Sequence, residues 1–500
     1  MNSMRPVLPI TAELALRDAA QTRSLEQRAS ASLPPHALMR RAGNAVARLA
    51  LAIAPHAQRV WIAAGPGNNG GDGLEAAVHL LRWGKDVEIS LLADRTQLSA
   101  DATDALARAL AAGARIGSAT LPGEPPQLAI DALLGVGASR APSGAIAECI
   151  RALNAPTCPV LAVDLPSGLH ATTGQPLGAD CVIATHTLAM LALKPGLFTG
   201  TGRDHAGAVW LDALGVDPTA AELPTAWLSG HAGVAPRRHA QHKGSFGDVA
   251  VVGGARGMVG AALLAARATH AAGAGRVYVN LLDRAASTLR LDPMRPELMF
   301  RDDWLHGAAD TLARTTVVCG CGGGDAVRAT LPKLLSTARR LVLDADALNA
   351  LAADTSLAAL LRARAARGVS TVLTPHPLEA ARLLGCTSAE VQADRLHAAQ
   401  ELADRFACVV VLKGSGSVIA APGQTPRINS TGNAALATAG TGDVLAGWLG
   451  GRWAQRPSGD EAAAAFIVAQ QAVAEHGAAA ELQPSGALRA GDLIERLYAL

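Results

Sequence analysis

The residues best placed to do chemistry lie in a short glycine-rich string, Gly65-Pro66-Gly67-Asn68-Asn69-Gly70-Gly71-Asp72-Gly73. Glycine lets a ligand approach backbone N–H groups closely. At the start of a following helix, those donors favour phosphate or pyrophosphate. Asn68, Asn69 and Asp72 add side-chain oxygens suited to a cation or a ribose hydroxyl. The same string also reads as an ordinary turn capped by Asn and Asp. It is not taken as the standard dinucleotide fingerprint.

Two acids stand at the ends of apolar runs further on. Asp131 closes Leu128–Asp131 and is followed by Leu134-Gly135-Val136-Gly137, and Asp164 closes Val160–Asp164 and is followed by Pro166-Ser167-Gly168. Ligands of open parallel sheets gather at the carboxyl ends of strands. Asn69, Asp131, Asp164 and Ser167 are therefore expected to converge, and oxygen ligands of this kind suit a hard cation. Taken singly, each Asp is an ordinary cap.

The densest signal comes late: Asn429-Ser430-Thr431-Gly432-Asn433, then Ala437-Thr438-Ala439-Gly440-Thr441-Gly442-Asp443. A small-residue turn opening a helix offers the N–H groups of Gly440 to Asp443 and the helix dipole to a phosphoryl oxyanion. Asp443 sits where a carboxylate takes a proton from an attacking hydroxyl; as a helix cap it would be equally ordinary. Val409–Leu412 runs into Lys413-Gly414-Ser415-Gly416-Ser417, a polar loop suited to nucleotide phosphates. Thr374-Pro375-His376-Pro377 puts a histidine at another strand end. Asp344 and Asp346 add acids through which magnesium would meet nucleotide phosphates, directly or through water.

Strands and helices must hold these groups. Leu14 to Leu51 reads as helix; Arg59–Ala64, Val87–Leu92, Leu128–Leu134 and Val160–Leu165 read as strands, with helices at Leu74–Trp83 and Ala100–Ala112. A weakly patterned stretch, Ala213 to Arg238, reads as a linker. A second cycle follows, with strands at Asp248–Gly254, Arg276–Leu281, Thr316–Cys319, Arg340–Leu343, Ser370–Leu373 and Val409–Leu412. Helices are expected at Gly260–Ala272, from Thr441 to about Trp453, and from Glu461 to about His476. Alternation of this kind implies largely parallel sheets covered by helices. The two halves carry different motifs, as in a fusion, with domains expected at 1–222 and 223–500.

A chain of 500 residues exceeds one ordinary core. A net charge of +2 and 3% aromatic residues argue against a nucleic-acid track. Seven cysteines without a C-x-x-C pair suggest neither a disulfide framework nor a zinc site. The start lacks the order of a signal peptide. The most apolar run, Cys181 to Leu193, falls short of a membrane span. A soluble, cytoplasmic protein is expected.

The strings Gly65–Gly73, Asp131–Gly137 and Val163–Gly168 closely resemble the YjeF N-terminal family of NAD(P)H-hydrate epimerases, as do Leu38–Gly43 and Leu193–Leu197. The resemblance covers roughly residues 10 to 215 and implies a Rossmann-like α/β/α fold that interconverts R and S hydrates at C6 of the reduced nicotinamide. It implies potassium held by Asn69, Asp131 and Ser167. Hydrate contacts would come from Asn68, Asn69, Gly70, Gly71 and Asp72, from Gly135, Val136, Gly137, Ala138, Ser139, Arg140 and Ala141, and from Asp164. Asp164 is the expected proton-transfer group.

From about His242-Lys243-Gly244 to the C-terminus, the chain resembles the YjeF C-terminal family of ADP/ATP-dependent NAD(P)H-hydrate dehydratases, with a ribokinase-like fold. That implies Lys413, Gly414, Ser415, Gly416, Ser417 and Gly442 at the adenine nucleotide, and Ala262, Gly322, His376 and Asp443 at the hydrate. The chemistry implied is phosphorylation of the hydrate hydroxyl, with Asp443 as base, then elimination of phosphate, with ADP the expected co-substrate and magnesium at the site. NADHX and NADPHX are the implied substrates, in a homo-oligomer. Two departures bear on fine specificity: Leu378 replaces the Gly usual after Thr-Pro-His-Pro, and the usual Gly-Pro-Gly reads Gly320-Cys321-Gly322. The competing reading is a ribokinase-like kinase for a vitamin precursor, carrying a non-catalytic N-terminal binding module.

Overall fold

In a computed structural model, the described residues are 4–117, 120–155, 157–217, 223–230, 238–282, 289–307, 309–457, 459–483 and 486–500. The chain divides into two compact units, Met1–Ile10 with Leu14–Leu228, and Thr11–Glu13 with Ser229–Leu500. Part of the expected linker, and the expected domain end at residue 222, lie outside the described residues; the strand Ala226–Ser229 stands within that linker, paired antiparallel with Leu14–Leu16.

The first unit is built on an eight-stranded sheet. Its order is Arg5–Pro6, Ala208–Asp212, His186–Met190, Val160–Val163, Leu128–Ala132, Arg59–Ala64, Asp86–Leu91 and Arg115–Gly117. Only the first pairing is antiparallel. Side chains alternate across a strand, and Arg59–Ala64 uses both faces. Val60, Ile62 and Ala64 enter one core cluster, Trp61 and Ala63 another. Burial on two faces explains why these strands read as apolar runs rather than as alternating patterns.

Two expectations change here. Leu14 to Leu51 is not one helix but a short strand, Leu14–Leu16, then helices Ala19–Ser32 and Ala37–Ile53. Pro34 and Pro35 lack the N–H a continuous helix needs, and Leu33, preceding them, is extended at φ −110°, ψ 156°. The helix expected from Leu74 begins six residues earlier, as Asn68–Arg82 with Gly67 at its N-cap. The glycine string is thus the first turns of the helix. A Cβ on Gly70 would stand 2.0 Å from the Gly65 carbonyl oxygen, so only glycine fits under that strand end.

In the second unit the strands run Met299–Phe300, Arg276–Leu281, Asp248–Gly253, Thr316–Cys319, Arg340–Leu343, Ser370–Leu373 and Val409–Leu412, all parallel. Val418–Ala420 and Arg427–Asn429 follow in antiparallel pairing. Helices Val259–Ala271, Thr441–Ala454 and Glu461–Glu481 supply much of a core that includes Trp453, Leu449 and Phe466. Both units keep strand carboxyl ends free for loops, and the motif residues sit there.

Candidate functional sites

In the first unit a cavity of about 390 Å³ opens at the strand ends. Asn68, Asn69, Asp72, Gly135, Val136, Gly137, Ala138 and Asp164 line it, whereas Gly70, Gly71, Ser139, Arg140 and Ala141 do not. The exclusion of a dinucleotide fingerprint does not stand: Gly65, Gly67 and Gly70 have the G-x-G-x-x-G spacing, with the same strand-to-helix turn and the same need for close backbone approach. Asn68 is pinned from two sides, its Nδ2 donating to Glu26 (3.3 Å) and its Oδ1 accepting from Ser99 Oγ (2.9 Å). Burial, then the neighbouring Asp164 and Glu26 carboxylates, push Asp72 well above the usual carboxylate range.

Asp164 is a non-glycine residue at φ +67°, in the left-handed region. Its Oδ1 accepts from the Met190 N–H (3.1 Å) and from the ammonium of Lys194, which is fully buried and also donates to the Met190 carbonyl (3.0 Å). Oδ2 keeps no partner among the described residues, and Asp164 faces the cavity. The carboxylate is thus oriented from behind and open in front. Lys194 stands in the Leu193–Leu197 string, and nothing local in the sequence announces its pairing with a residue thirty positions earlier.

Beneath the cavity, Asp131 is fully buried. It accepts from Ser167 Oγ (2.5 Å), Ser167 N–H (2.8 Å) and Leu133 N–H (3.2 Å). It has no ion-pair partner among the described residues, and burial pushes its carboxyl up to about 6. Asn69, the third expected ligand, is also buried, and its Nδ2 has no hydrogen-bond partner among the described residues. A buried carboxylate lacking a counter-charge beside the Ser167 hydroxyl is an oxygen donor set that fits a monovalent cation, to which Asn69 would add only its amide oxygen.

The second unit gathers a charged cluster from four chain segments. Lys413 Nζ donates to Asp344 Oδ1 (2.7 Å), which also accepts from Thr374 Oγ1 (2.8 Å). Burial works against the ammonium, but Asp344 and Glu379 hold its pKa above the ordinary value. A Cβ on Gly442 would lie 3.2 Å from Lys413 Nζ, so the amine abuts the Gly-Thr-Gly-Asp turn. There Gly440, at φ +89°, caps the helix Thr441–Ala454, whose first i to i−4 bond is Val444 N–H to Gly440 O (3.1 Å). Asp443 is therefore in the first turn and not its cap. Burial, then Asp344, push it up to about 6, against the opposing pull of Cys321 and Lys413. The Cys321 thiol, Asp344 and Asp443 carry ligand atoms within 4.8 Å of one another.

The remaining expected residues sit around this cluster in different ways. His376 caps the helix Pro377–Leu384, its Nδ1 accepting from Leu378 N–H (3.1 Å) and Glu379 N–H (3.3 Å). Gly414 stands at φ +134°, Ser417 Oγ donates to its carbonyl (3.1 Å), and Ser415 is exposed in the same loop as Gly416. Gly322 stands at φ +58° near Ala261, whose neighbour Ala262 is fully buried. Two supports were not foreseen. Buried Arg395 donates to the Leu412 and Lys413 carbonyls (both 3.1 Å), and His476 Nε2 donates to the Thr441 carbonyl (2.9 Å). Burial pushes His476 down to about 4, so the ring is neutral.

Fold and sites together define a two-unit α/β enzyme, each unit built on a largely parallel sheet with acids at its strand ends. A family model described as YjeF-related protein N-terminus matches residues 35–196, and one described as NAD(P)H-hydrate dehydratase matches residues 249–498. The chain is 38% identical to the bifunctional NAD(P)H-hydrate repair enzyme Nnr of Escherichia coli, covering 89% of this chain and 84% of that one. Its identity to the enzyme of that name from Coxiella burnetii is 37%, covering 96% and 98%. Among solved structures, the ADP/ATP-dependent NAD(P)H-hydrate dehydratase of Bacillus subtilis, co-crystallised with ATP and Mg2+, is 29% identical at a TM-score of 0.43, covering 53% of this chain and 92% of that one. The chain belongs to the bifunctional NAD(P)H-hydrate repair enzymes.

Proposed function

We propose that the first unit epimerises R and S NAD(P)HX at Asp164 and that the second dehydrates the S form at Asp443, with ADP as phosphoryl donor. The observation that carries this reading is a pair of separate, oriented carboxylates, one on a cavity at the ends of a dinucleotide-type sheet and one in a phosphate-type helix turn.

In the first unit, loss of the C6 hydroxyl is driven by the ring nitrogen lone pair and needs a proton on the departing oxygen. Asp164 moves that proton through its open Oδ2, while Lys194 and the Met190 N–H hold the other oxygen still. The hydroxyl returns on the other face, and the proton goes back to the carboxylate, so atoms balance. Asn68, Asp72 and the Gly135–Ala138 loop would orient the hydrate, with Gly70, Gly71, Ser139, Arg140 and Ala141 completing the expected set. Asn69, Asp131 and Ser167 would hold potassium, which supplies the counter-charge that Asp131 lacks.

In the second unit, Asp443 takes the proton from the hydrate hydroxyl as its oxygen attacks the terminal phosphoryl group of ADP. AMP leaves, and the phosphate ester then eliminates phosphate while C5 gives up a proton, restoring NAD(P)H. Lys413 is poised against the Gly442 turn to meet nucleotide phosphates with Gly414 to Ser417, and magnesium would neutralise phosphate charge beside Asp344. Ala262, Gly322 and His376 would border the hydrate. A homo-oligomer and a cytoplasmic location are part of the same proposal; among the described residues no helix is long and apolar enough to cross a membrane.

The test is recovery of reduced-nicotinamide absorbance from mixed R and S hydrates with ADP, ATP or neither. Complete recovery with ADP and Mg2+ is expected. A plateau at the S fraction would reduce the first unit to a binding module, and no recovery would return the second to a kinase of another substrate.

A further inference from the structure

The cavity of the first unit is lined by more acidic than basic side chains. Glu26, Asp72, Asp101 and Asp164 line it, and Arg23 is the single cationic side chain among its described lining residues. A dinucleotide hydrate carries at least the two negative charges of its pyrophosphate. Those phosphates need fixed donors and a cation to meet them.

Arg23 is placed for that task. It projects from the helix Ala19–Ser32, outside every motif that carries the family resemblance. Its guanidinium reaches the Gly135–Ala138 turn, where Nη2 lies 3.1 Å from the position a Cβ on Gly137 would take. Glycine at 137 therefore leaves room for the guanidinium beside the backbone. No hydrogen bond or ion pair ties Arg23 to any described residue, although Glu26, one turn along the same helix, is engaged with Asn68. An unpaired guanidinium beside a loop at a strand end suits a phosphate, which its planar fork meets with two parallel N–H donors.

We infer that Arg23 is the phosphate-binding residue of the epimerase site, holding either the pyrophosphate of the hydrate or the 2′-phosphate of NADPHX. The inference rests on the first unit being the epimerase. It requires the helix Ala19–Ser32 to act as a wall of the substrate site, with Arg23 reading charge and Glu26 fixing Asn68.

The experiment measures R-to-S exchange by the full-length protein, wild type, Arg23→Gln and Arg23→Lys, with NADHX and NADPHX separately. Arg23→Gln is expected to raise KM about tenfold with kcat within about twofold, in line with loss of one charge-assisted contact. Arg23→Lys should recover part of the loss. An equal rise for both hydrates places Arg23 on the pyrophosphate, and a rise for NADPHX alone places it on the 2′-phosphate. ADP-dependent dehydration of pure S hydrate by the same variant should be unchanged, which reports that the chain is folded. Unchanged KM for both hydrates, with the wild type active, would overturn the role of Arg23 and leave the epimerase reading intact. Absence of exchange in the wild type would overturn that reading, and this inference with it.

Discussion

At the residue scale, the two carboxylates differ in how they are kept ready. Asp164 is held by a buried ammonium and a backbone N–H, so its orientation is fixed before substrate arrives. Asp164→Asn keeps the shape but removes the group proposed to give and take back the proton. It should lower exchange between epimers by at least about 10²-fold while S-hydrate dehydration continues, as chiral separation of the two hydrates would record. Asp443, at about 6, must be ionised to accept a proton. Dehydration should therefore fall as pH drops through about 6, and Asp443→Asn should abolish it at every pH. The Cys321 thiol favours the charged form of Asp443. Cys321→Ala should accordingly move the acid limb of the rate profile to higher pH. A limb that stays in place would detach the thiol from the function of Asp443.

At the element scale, the phosphate-type turn depends on a helix far along the chain. His476, in Glu461–Glu481, donates to the carbonyl of Thr441 in the first turn of Thr441–Ala454. Its folded pKa is depressed to about 4, below the ordinary imidazole value, so the folded state favours the neutral ring. The stability this neutral ring contributes is present above about 6.5 and is lost as pH falls towards 4. His476→Leu removes one buried hydrogen bond, costing about 1 kcal/mol, and should lower Tm by a few degrees. It should also reduce dehydration and spare epimerisation. His476→Gln keeps an N–H donor without the titration, so its melting curves between pH 4 and 6.5 should be flatter than those of the wild type. Beneath the other site, Asp131 presents the opposite sign. Its carboxyl is raised to about 6, so burying it ionised at neutral pH is unfavourable, and a cation would offset that cost. Potassium should raise Tm at pH 7.5 in the wild type and leave Asp131→Asn unmoved, measured against sodium at equal ionic strength.

At the scale of the whole molecule, the two activities need only a shared soluble intermediate, because each unit carries its own oriented carboxylate. Asp164→Asn and Asp443→Asn mixed in one tube should together recover all the reduced cofactor from a mixed hydrate, as the unaltered chain does. Recovery that stops at the S fraction would mean that the sites act only within one chain. What the sequence by itself determined is the run of strands and the motif strings at their ends. Arg276–Leu281 and Thr316–Cys319 match the observed strands because a strand buried on both faces must be apolar throughout, and that is local information. The meeting of Asp131 and Ser167 was legible in the same way, since parallel strands bring their carboxyl ends to one edge. Only the tertiary structure decided that Lys194 stands behind Asp164, that Cys321, Asp344 and Asp443 meet, and that Arg23 lines a cavity built from residues beyond its own helix. The edge strand Arg5–Pro6 and the start of a helix at Asn68 likewise emerged only in the fold. The physical reason is common to all of them. Pairings between residues tens to hundreds of positions apart are fixed by sheet register and helix packing, and no local propensity or spacing encodes them.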